Sequence, residues 1–382
     1  MKKTAIILIN YKDYAEKYLP DCIESIRKQD CKNYKIFIVD NETSEKSFNY
    51  LNKIVPEAEI IRNRNNDGFA KGNNDAIKKA IEQKFNYVIL FNLDVIVEQW
   101  CVNELIKVAE SDDKISAVQA RIMLWPEKEK INSLGNITHF LGFGYCSNYQ
   151  DSLNSSQKKC SFVSFPRTRE SSHNSTKLDS RVRGNDNLEA FRNSRDICYF
   201  SGSAVLLKVN ILKQIGLFDE EFWMYNEDQD LGWHIWLAGY KCVLAQDAVV
   251  YHKYEFSRSI KKYYWMDRNR IIAIIKNYNI LTLLLISPAF IIMEFGLILF
   301  SLKTGWFKEK IRVWKYFLLP KTWCYLYKSR KKTQSLRKVK DKKIIKLFTG
   351  KIWYQEINDW KLKVINPVFG LYWRIVNRMI WW

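Results

Sequence analysis

The chain has 382 residues, 47% hydrophobic and 27% charged, which is enough apolar material for one large domain or two smaller ones and excludes a wholly disordered chain. A formal net charge of +20 suggests nucleic acid, but the excess is segmental. Residues 303–382 carry 21 Lys and Arg against 4 Asp and Glu, and residues 156–196 carry 9 against 5, so the rest of the chain is close to neutral. A basic segment rich in Lys, Trp and Tyr suits an anionic membrane surface, and no nucleic-acid partner is expected. The eight cysteines show no CxxC pair or metal-finger spacing and read as small core residues in a reducing compartment.

In chain order, AIILIN (5–10) predicts a buried strand; it is too short for a signal-peptide core and has no small-residue cleavage site. A helix follows over YLPDCIESIRKQ, then a strand at KIFIVDN. Next come a helix over FAKGNNDAIKKAIEQ, a strand at YVILFNLD, a helix over CVNELIKVAES and a strand at ISAVQARIM. Val/Ile/Leu strands alternating with helices predict an α/β fold with a parallel sheet buried on both faces. Ligands of such sheets bind at the carboxyl ends of the strands. Polar clusters lie at those ends: Asn10-Tyr11, Asp40-Asn41 and Asn92-Leu93-Asp94.

The loop RNNDGFAKGNNDA is neither a phosphate-binding GxxxxGK[ST] nor a GxGxxG motif. Gly68 and Gly72 would let the backbone approach a ligand, and the start of the helix would favour an anion. Further on, MYNEDQDLGW sets Glu227, Asp228 and Asp230 among Phe222, Trp223, Tyr225, Trp233 and Trp236. Like charges in an aromatic setting repel one another and resist burial, so their retention calls for a role.

The stretches GFAKGNND, LFNLDVIVE, YFSGSAVLLKVNILKQIGLFDEEFWMYNEDQDLGWHIWLAGYK and AVVYHKYEFS resemble family 2 glycosyltransferases, in particular bacterial rhamnosyltransferase-like enzymes of surface polysaccharide assembly. The resemblance covers roughly residues 3–145 and 197–278. It implies a GT-A fold, a Rossmann-like mixed sheet flanked by helices. It also implies a nucleotide-diphosphate sugar donor, a divalent metal (Mg2+ or Mn2+) and inversion at the anomeric carbon. Asp228 takes the place of the family's base, which removes the acceptor hydroxyl's proton as the sugar departs through an oxocarbenium-like state. Asp94 and His252 fall where the family contacts its metal, with one carboxylate in Asn92-Leu93-Asp94 rather than two. The donor is expected at Asn10, Tyr11, Asp40, Asn41, Asn66, Gly68, Phe69, Gly72, Asn73 and Asn92, with Tyr11 and Asp40 at the base and ribose. The acceptor is expected at Ser201, Gly202, Trp223 and Glu227. Glu227 either holds the acceptor or orients the base, Trp223 and Tyr225 either stack on a sugar or pack in the core, and Asp230, sharing a helix face with Glu227, is structural. Ser203 departs from the usual small pair and bears on how the donor sugar fits.

Residues 147–196, rich in Ser, Asn and Arg and without periodicity, resemble a translated palindromic repeat element inserted in frame, and disorder is expected there. Thus residues 1–278 are expected to form the catalytic domain, 279–302 a hydrophobic membrane-associated segment, and 303–382 a basic, aromatic-rich tail. The apolar run 280–302 is long enough to cross a bilayer, but both its flanks are basic. The expectation is an interfacial or re-entrant pair of short helices broken near Pro288, on the cytoplasmic face of a bacterial inner membrane. The function expected is sugar transfer, rhamnose being one candidate, to a lipid-linked or cell-surface glycan. An inactive membrane-bound scaffold and, less favoured, a nucleic-acid binder are the alternatives.

Overall fold

The computed structural model describes residues 2–153, 194–254, 260–352 and 360–382. Strands β1 (Thr4–Tyr11), β2 (Tyr34–Asn41), β3 (Glu59–Asn63) and β4 (Tyr87–Phe91) pair in parallel, in the order β3-β2-β1-β4. Helices α1 (Tyr14–Arg27), α2 (Glu45–Ile54) and α3 (Gly68–Glu82) link them. Beyond the short β5 (Val95–Val97) and α4 (Cys101–Glu110) comes β6 (Ile115–Leu124). Two small antiparallel additions follow: β7 (Ile131–Ser133), on β6, and the pair β8 (Asn136–Thr138) and β9 (Gly144–Cys146). The sheet is completed by β10 (Ser194–Asp196), β11 (Ala204–Lys208) and β12 (Lys241–His252).

The parallel pairing read from the strand composition holds for β1–β4, and the whole sheet is mixed, as the resemblance implies. β11 wedges antiparallel between β4 and β6, pairing Ala204 with Phe91 and Leu206 with Val118. All five β11 residues are buried, so their composition marks burial but not direction. β10 lies inside the stretch expected to be disordered yet pairs with β12, and Ser152 bridges to Lys130. The remainder of that stretch, 154–193, lies outside the described residues.

After β11 the chain forms α5 (Val209–Ile215), a 3-10 turn (Glu220–Phe222) and α6 (Glu227–Leu237). After β12 it forms α7 (Lys262–Asn277), α8 (Ile280–Thr304), α9 (Phe307–Leu318), α10 (Pro320–Ser335), the short α11 (Asp341–Ile344) and α12 (Trp360–Met379). One expectation fails here: α8 is one continuous helix through Pro288. Proline removes the N–H that would bond the Leu284 carbonyl, but the Ser287 hydroxyl donates to that carbonyl at 2.8 Å and satisfies it. The described part of the basic segment 303–382 forms helices folded onto the body. Glu294, midway along α8, pairs with Arg270 of α7 and with Lys310 of α9 (2.6 Å), and Lys310 also pairs with Asp267 (2.7 Å). Arg270, one of the basic residues that precede the apolar run, is buried in that cluster.

The helix α8 is long and apolar enough to cross a membrane, and only 17% of its most apolar window is buried. Leu284, Ile292, Phe295 and Leu299 are each at least 64% exposed. An apolar face of that kind calls for a covering that water does not supply.

Candidate active site

The motifs singled out in the sequence converge at the carboxyl end of β4. The glycine loop is built around Trp223. Gly68 has φ +75°, and a Cβ there would lie 2.4 Å from the Trp223 carbonyl oxygen, so only glycine fits. That carbonyl accepts from the amides of Phe69 (2.7 Å) and Ala70 (3.2 Å), and the Trp223 indole donates to the Asn66 carbonyl (3.1 Å). Two of the first-turn amides of α3 are thus already bonded within the protein. Trp223 also stacks on Trp265 of α7, with ring centroids 4.6 Å apart.

Several residues expected to touch the donor are struts beneath this loop. Asp40 is fully buried, and its carboxylate accepts from Asn10 Nδ2 (2.7 Å), Thr43 Oγ1 (2.6 Å) and Ser47 Oγ (2.7 Å). Asn10 also accepts from the Ala15 amide at the start of α1. Asn41 donates to the Gly68 carbonyl (3.1 Å) and lies against Gly72, and Asn73 donates to the Phe69 carbonyl (3.0 Å). With their polar atoms paired inside, Asn10, Asp40, Asn41 and Asn73 shape the loop; Tyr11, 38% exposed at the end of β1, remains open to a ligand.

Asp94 follows β4 and is held on both carboxylate oxygens. Tyr14 donates to Oδ2 at 2.6 Å, and Oδ1 lies 3.1 Å from His252 Nε2 at the end of β12. Burial pushes the Asp94 carboxyl up, but His252 and Tyr14 outweigh it and hold it below the usual aspartate range. His252 Nδ1 sits 3.1 Å from Asn132 Oδ1; with a cation bound, an Nδ1 proton shared with Asn132 would leave Nε2 free to ligate it. Two adjacent ligands of an octahedral cation at ~2.1 Å are about 3 Å apart, so Asp94 Oδ1 and His252 Nε2 fit neighbouring positions on one ion. Among the described residues no cluster of three or more acids, histidines or cysteines could hold a metal, so phosphate oxygens would have to complete the shell. Tyr14 and Asn132 were not found in the sequence, because nothing local ties them to residues far along the chain.

The loop Ser201-Gly202-Ser203 joins the two halves of the site. The Ser203 carbonyl accepts from the Asn92 amide (3.0 Å), and the Gly202 amide donates to Asp228 Oδ2 (3.3 Å). Ser201 and Ser203 hydroxyls bond each other at 2.9 Å. Asp228 Oδ1 accepts from the Gln229 amide at 2.8 Å, at the first turn of α6. Asp94 and Asp228 thus flank one short loop rather than lying at opposite ends of the molecule.

Burial raises Asp228 to about 6, with the Gln229 and Gly202 amides opposing. Glu227, 6% exposed and with Oε2 unpartnered among the described residues, is pushed well above the carboxylate range by burial and then by Asp228. The crowding of acids is eased in two ways: burial and Asp228 both disfavour charge on Glu227, and Asp230 is drawn out of the site into an ion pair with Lys276 (2.7 Å). The preceding turn has three residues at positive φ: Trp223 (57°), Tyr225 (68°) and Asn226 (66°). Asn269 of α7 holds this strained turn by donating to the carbonyls of Phe222, Met224 and Tyr225 at 2.7–2.9 Å. No sequence signal pointed to Asn269.

A Cβ on Gly202 would lie 2.6 Å from the Phe69 ring. Gly202→Ala should displace the amide from Asp228, whose carboxylate it stabilises. The midpoint of the pH–rate profile should then move upward from about 6 and turnover should fall about tenfold or more. Equal midpoints for the two proteins would refute this role.

Residues 5–173 match the family described as Glycosyl transferase family 2, and the fold that carries them is a mixed α/β sheet flanked by helices. Over 58 residues, 15% of this chain, it is 40% identical to the N-acetylglucosaminyl-diphospho-decaprenol L-rhamnosyltransferase of Mycobacterium tuberculosis (strain ATCC 25618 / H37Rv), and the match spans 19% of that relative's length. Among solved structures it is similar to GalNAc-T7 with UDP, GalNAc and Mn2+ (TM-score 0.49, 13% identity, covering 72% of this chain and 48% of that one). It is also similar to S. aureus TarS (TM-score 0.44, 15% identity, 72% and 40%).

Proposed function

We propose that this protein is an inverting glycosyltransferase that moves a sugar from a nucleotide-diphosphate donor to a lipid-linked or cell-surface glycan at the cytoplasmic face of a bacterial membrane. The observation that carries the reading is the pairing across one loop of Asp228, a carboxylate raised to about 6, with the Asp94–His252 pair. Asp228 takes the proton of an acceptor hydroxyl. The oxygen forms its bond to the anomeric carbon on the face opposite the diphosphate, and the bond to the diphosphate oxygen breaks with inversion. Glu227, whose unpartnered Oε2 lies beside Asp228, can hold an acceptor hydroxyl. Asp94 and His252 would hold the divalent cation, which when bound offsets the charge growing on the departing diphosphate.

Rhamnose as the sugar and a diphospho-lipid as the acceptor are supported by the name of the relative matched over 58 residues. Membrane attachment is supported by the exposed apolar side of α8 and by the basic residues after it.

Metal-dependent thermal stabilisation by a panel of nucleotide-diphosphate sugars tests the donor reading. A donor at about 100 times its Kd should add roughly 2.7 kcal/mol with Mn2+ present. Asp94→Ala should lose the metal-dependent part of that stabilisation, as should wild type with a chelator. Full turnover in metal-free buffer would sink the metal assignment.

A further inference from the structure

Apart from the site above, a cavity of about 520 Å³ opens between α7, α9 and α10. Arg312, Lys315 and Lys321 line it, together with Tyr264, Tyr316 and a single acid, Glu221. That acid is already engaged: Tyr316 donates to it at 2.8 Å, and the Arg268 guanidinium is 3.7 Å away. Arg312 pairs with Glu309 (2.6 Å) and lies over the Tyr264 ring, whereas Lys315 and Lys321 have no carboxylate partner among the described residues. The cavity therefore presents uncompensated positive charge. At the corner between α9 and α10, next to these lysines, Leu318 is 80% exposed, Leu319 42% and Trp323 54%. Cations in a pocket beside an exposed apolar corner match a molecule with an anionic head and an apolar tail.

The position of the cavity ties it to the reaction. Glu221 belongs to the 3-10 turn that runs straight into Trp223 and on to Asp228. Arg268 stacks between Tyr316 and Trp265 (4.8 and 4.5 Å), and Trp265 stacks on Trp223.

We propose that this cavity seats the phosphate head group of the lipid-linked acceptor. Lys315 and Lys321 bind phosphate oxygens, Arg312 closes one side, and Leu318, Leu319 and Trp323 meet the start of the lipid chain. The assignment rests on the glycosyltransferase reading and names how its acceptor is held.

The test uses the full-length protein and flotation with neutral phosphatidylcholine vesicles. These are plain, doped with a polyprenyl diphosphate, or doped with phosphatidylglycerol to equal charge. Wild type should bind the polyprenyl-diphosphate vesicles about tenfold more tightly than the phosphatidylglycerol ones, and inorganic pyrophosphate should compete that preference away. Lys315→Gln/Lys321→Gln should abolish the preference while keeping binding to plain vesicles; Arg312→Gln gives a second, separate substitution that should weaken it. No preference in wild type, an unchanged preference in the double variant, or failure of pyrophosphate to compete would each overturn the site. A preference without metal-dependent donor stabilisation would leave this site standing and remove the transferase reading. Donor stabilisation without the preference would do the reverse.

Discussion

Asp228→Asn should lower turnover by about 10²–10⁴-fold while nucleotide-sugar binding survives, because the amide keeps the shape of the carboxylate but cannot take a proton. In wild type, kcat/KM should rise with pH through about 6 and level off above it, since only the ionised form is a base. The variant should show no such rise. The same substitution should stabilise the fold. Asp228 is raised in the folded state, so ionising it costs stability as pH rises from the unfolded value toward about 6. That shift corresponds to no more than about 3 kcal/mol at pH 7, and the partly open edge of the site reduces it to about 1–2 kcal/mol. A higher melting temperature together with lost transfer would mark a carboxylate kept for chemistry rather than for folding. Transfer at wild-type rate in Asp228→Asn would remove the residue from the mechanism.

Lys276→Met should destabilise the protein by about 3–5 kcal/mol, a large fraction of the roughly 5–15 kcal/mol that holds a typical domain together. Lys276 is 1% exposed, and its ammonium pairs with Asp230 on α6 and with Asp219 ahead of the 3-10 turn. Removing it strands two buried carboxylates. Asp219 retains Tyr325 (2.7 Å) and Asp230 retains Asn277 (2.8 Å), but neither partner carries a charge. The sign of the pH dependence separates this from a simple packing defect. In wild type, burial pushes Asp219 up but Lys276 outweighs it and holds it below the usual carboxylate range. The stability it contributes is thus present at neutral pH and lost as pH falls through that lowered value. Without the lysine, burial dominates at Asp219, its carboxyl rises, and the variant should gain stability as pH drops from 7 toward 5. Urea unfolding at several pH values would show the reversal. A loss of stability that is the same at every pH would refute the ion-pair account.

The strands and most helices of the N-terminal half were legible because their apolar residues repeat with the period of the element that carries them. The helix at 45–54 and the edge strand at 59–63 were missed. The helix buries only Leu51, and the strand buries nothing completely, so neither writes a strong pattern. The motif residues were legible as a set: Gly68, Asn92, Asp94, Gly202, Asp228 and His252 all come to one edge. Their division of labour was not. Asp40 and Asn10 read as ligand contacts because strand-end polar residues often are, and only the folded chain shows that they also bond each other, Thr43 and Ser47.

Composition and local periodicity determine which segments are buried, where the chain turns, and which residue types are available for proton transfer and cation binding, since these depend on neighbours a few positions apart. They do not determine which side chains meet across 80 or 158 positions, as Tyr14 and His252 do at Asp94. They also left open that a proline helix stays whole and that Glu294 draws α8 toward the catalytic body through Arg270 and Lys310. Those outcomes hang on low-dielectric pairing and on satisfied carbonyls, and both come into being only when distant parts of the chain exclude water from one another.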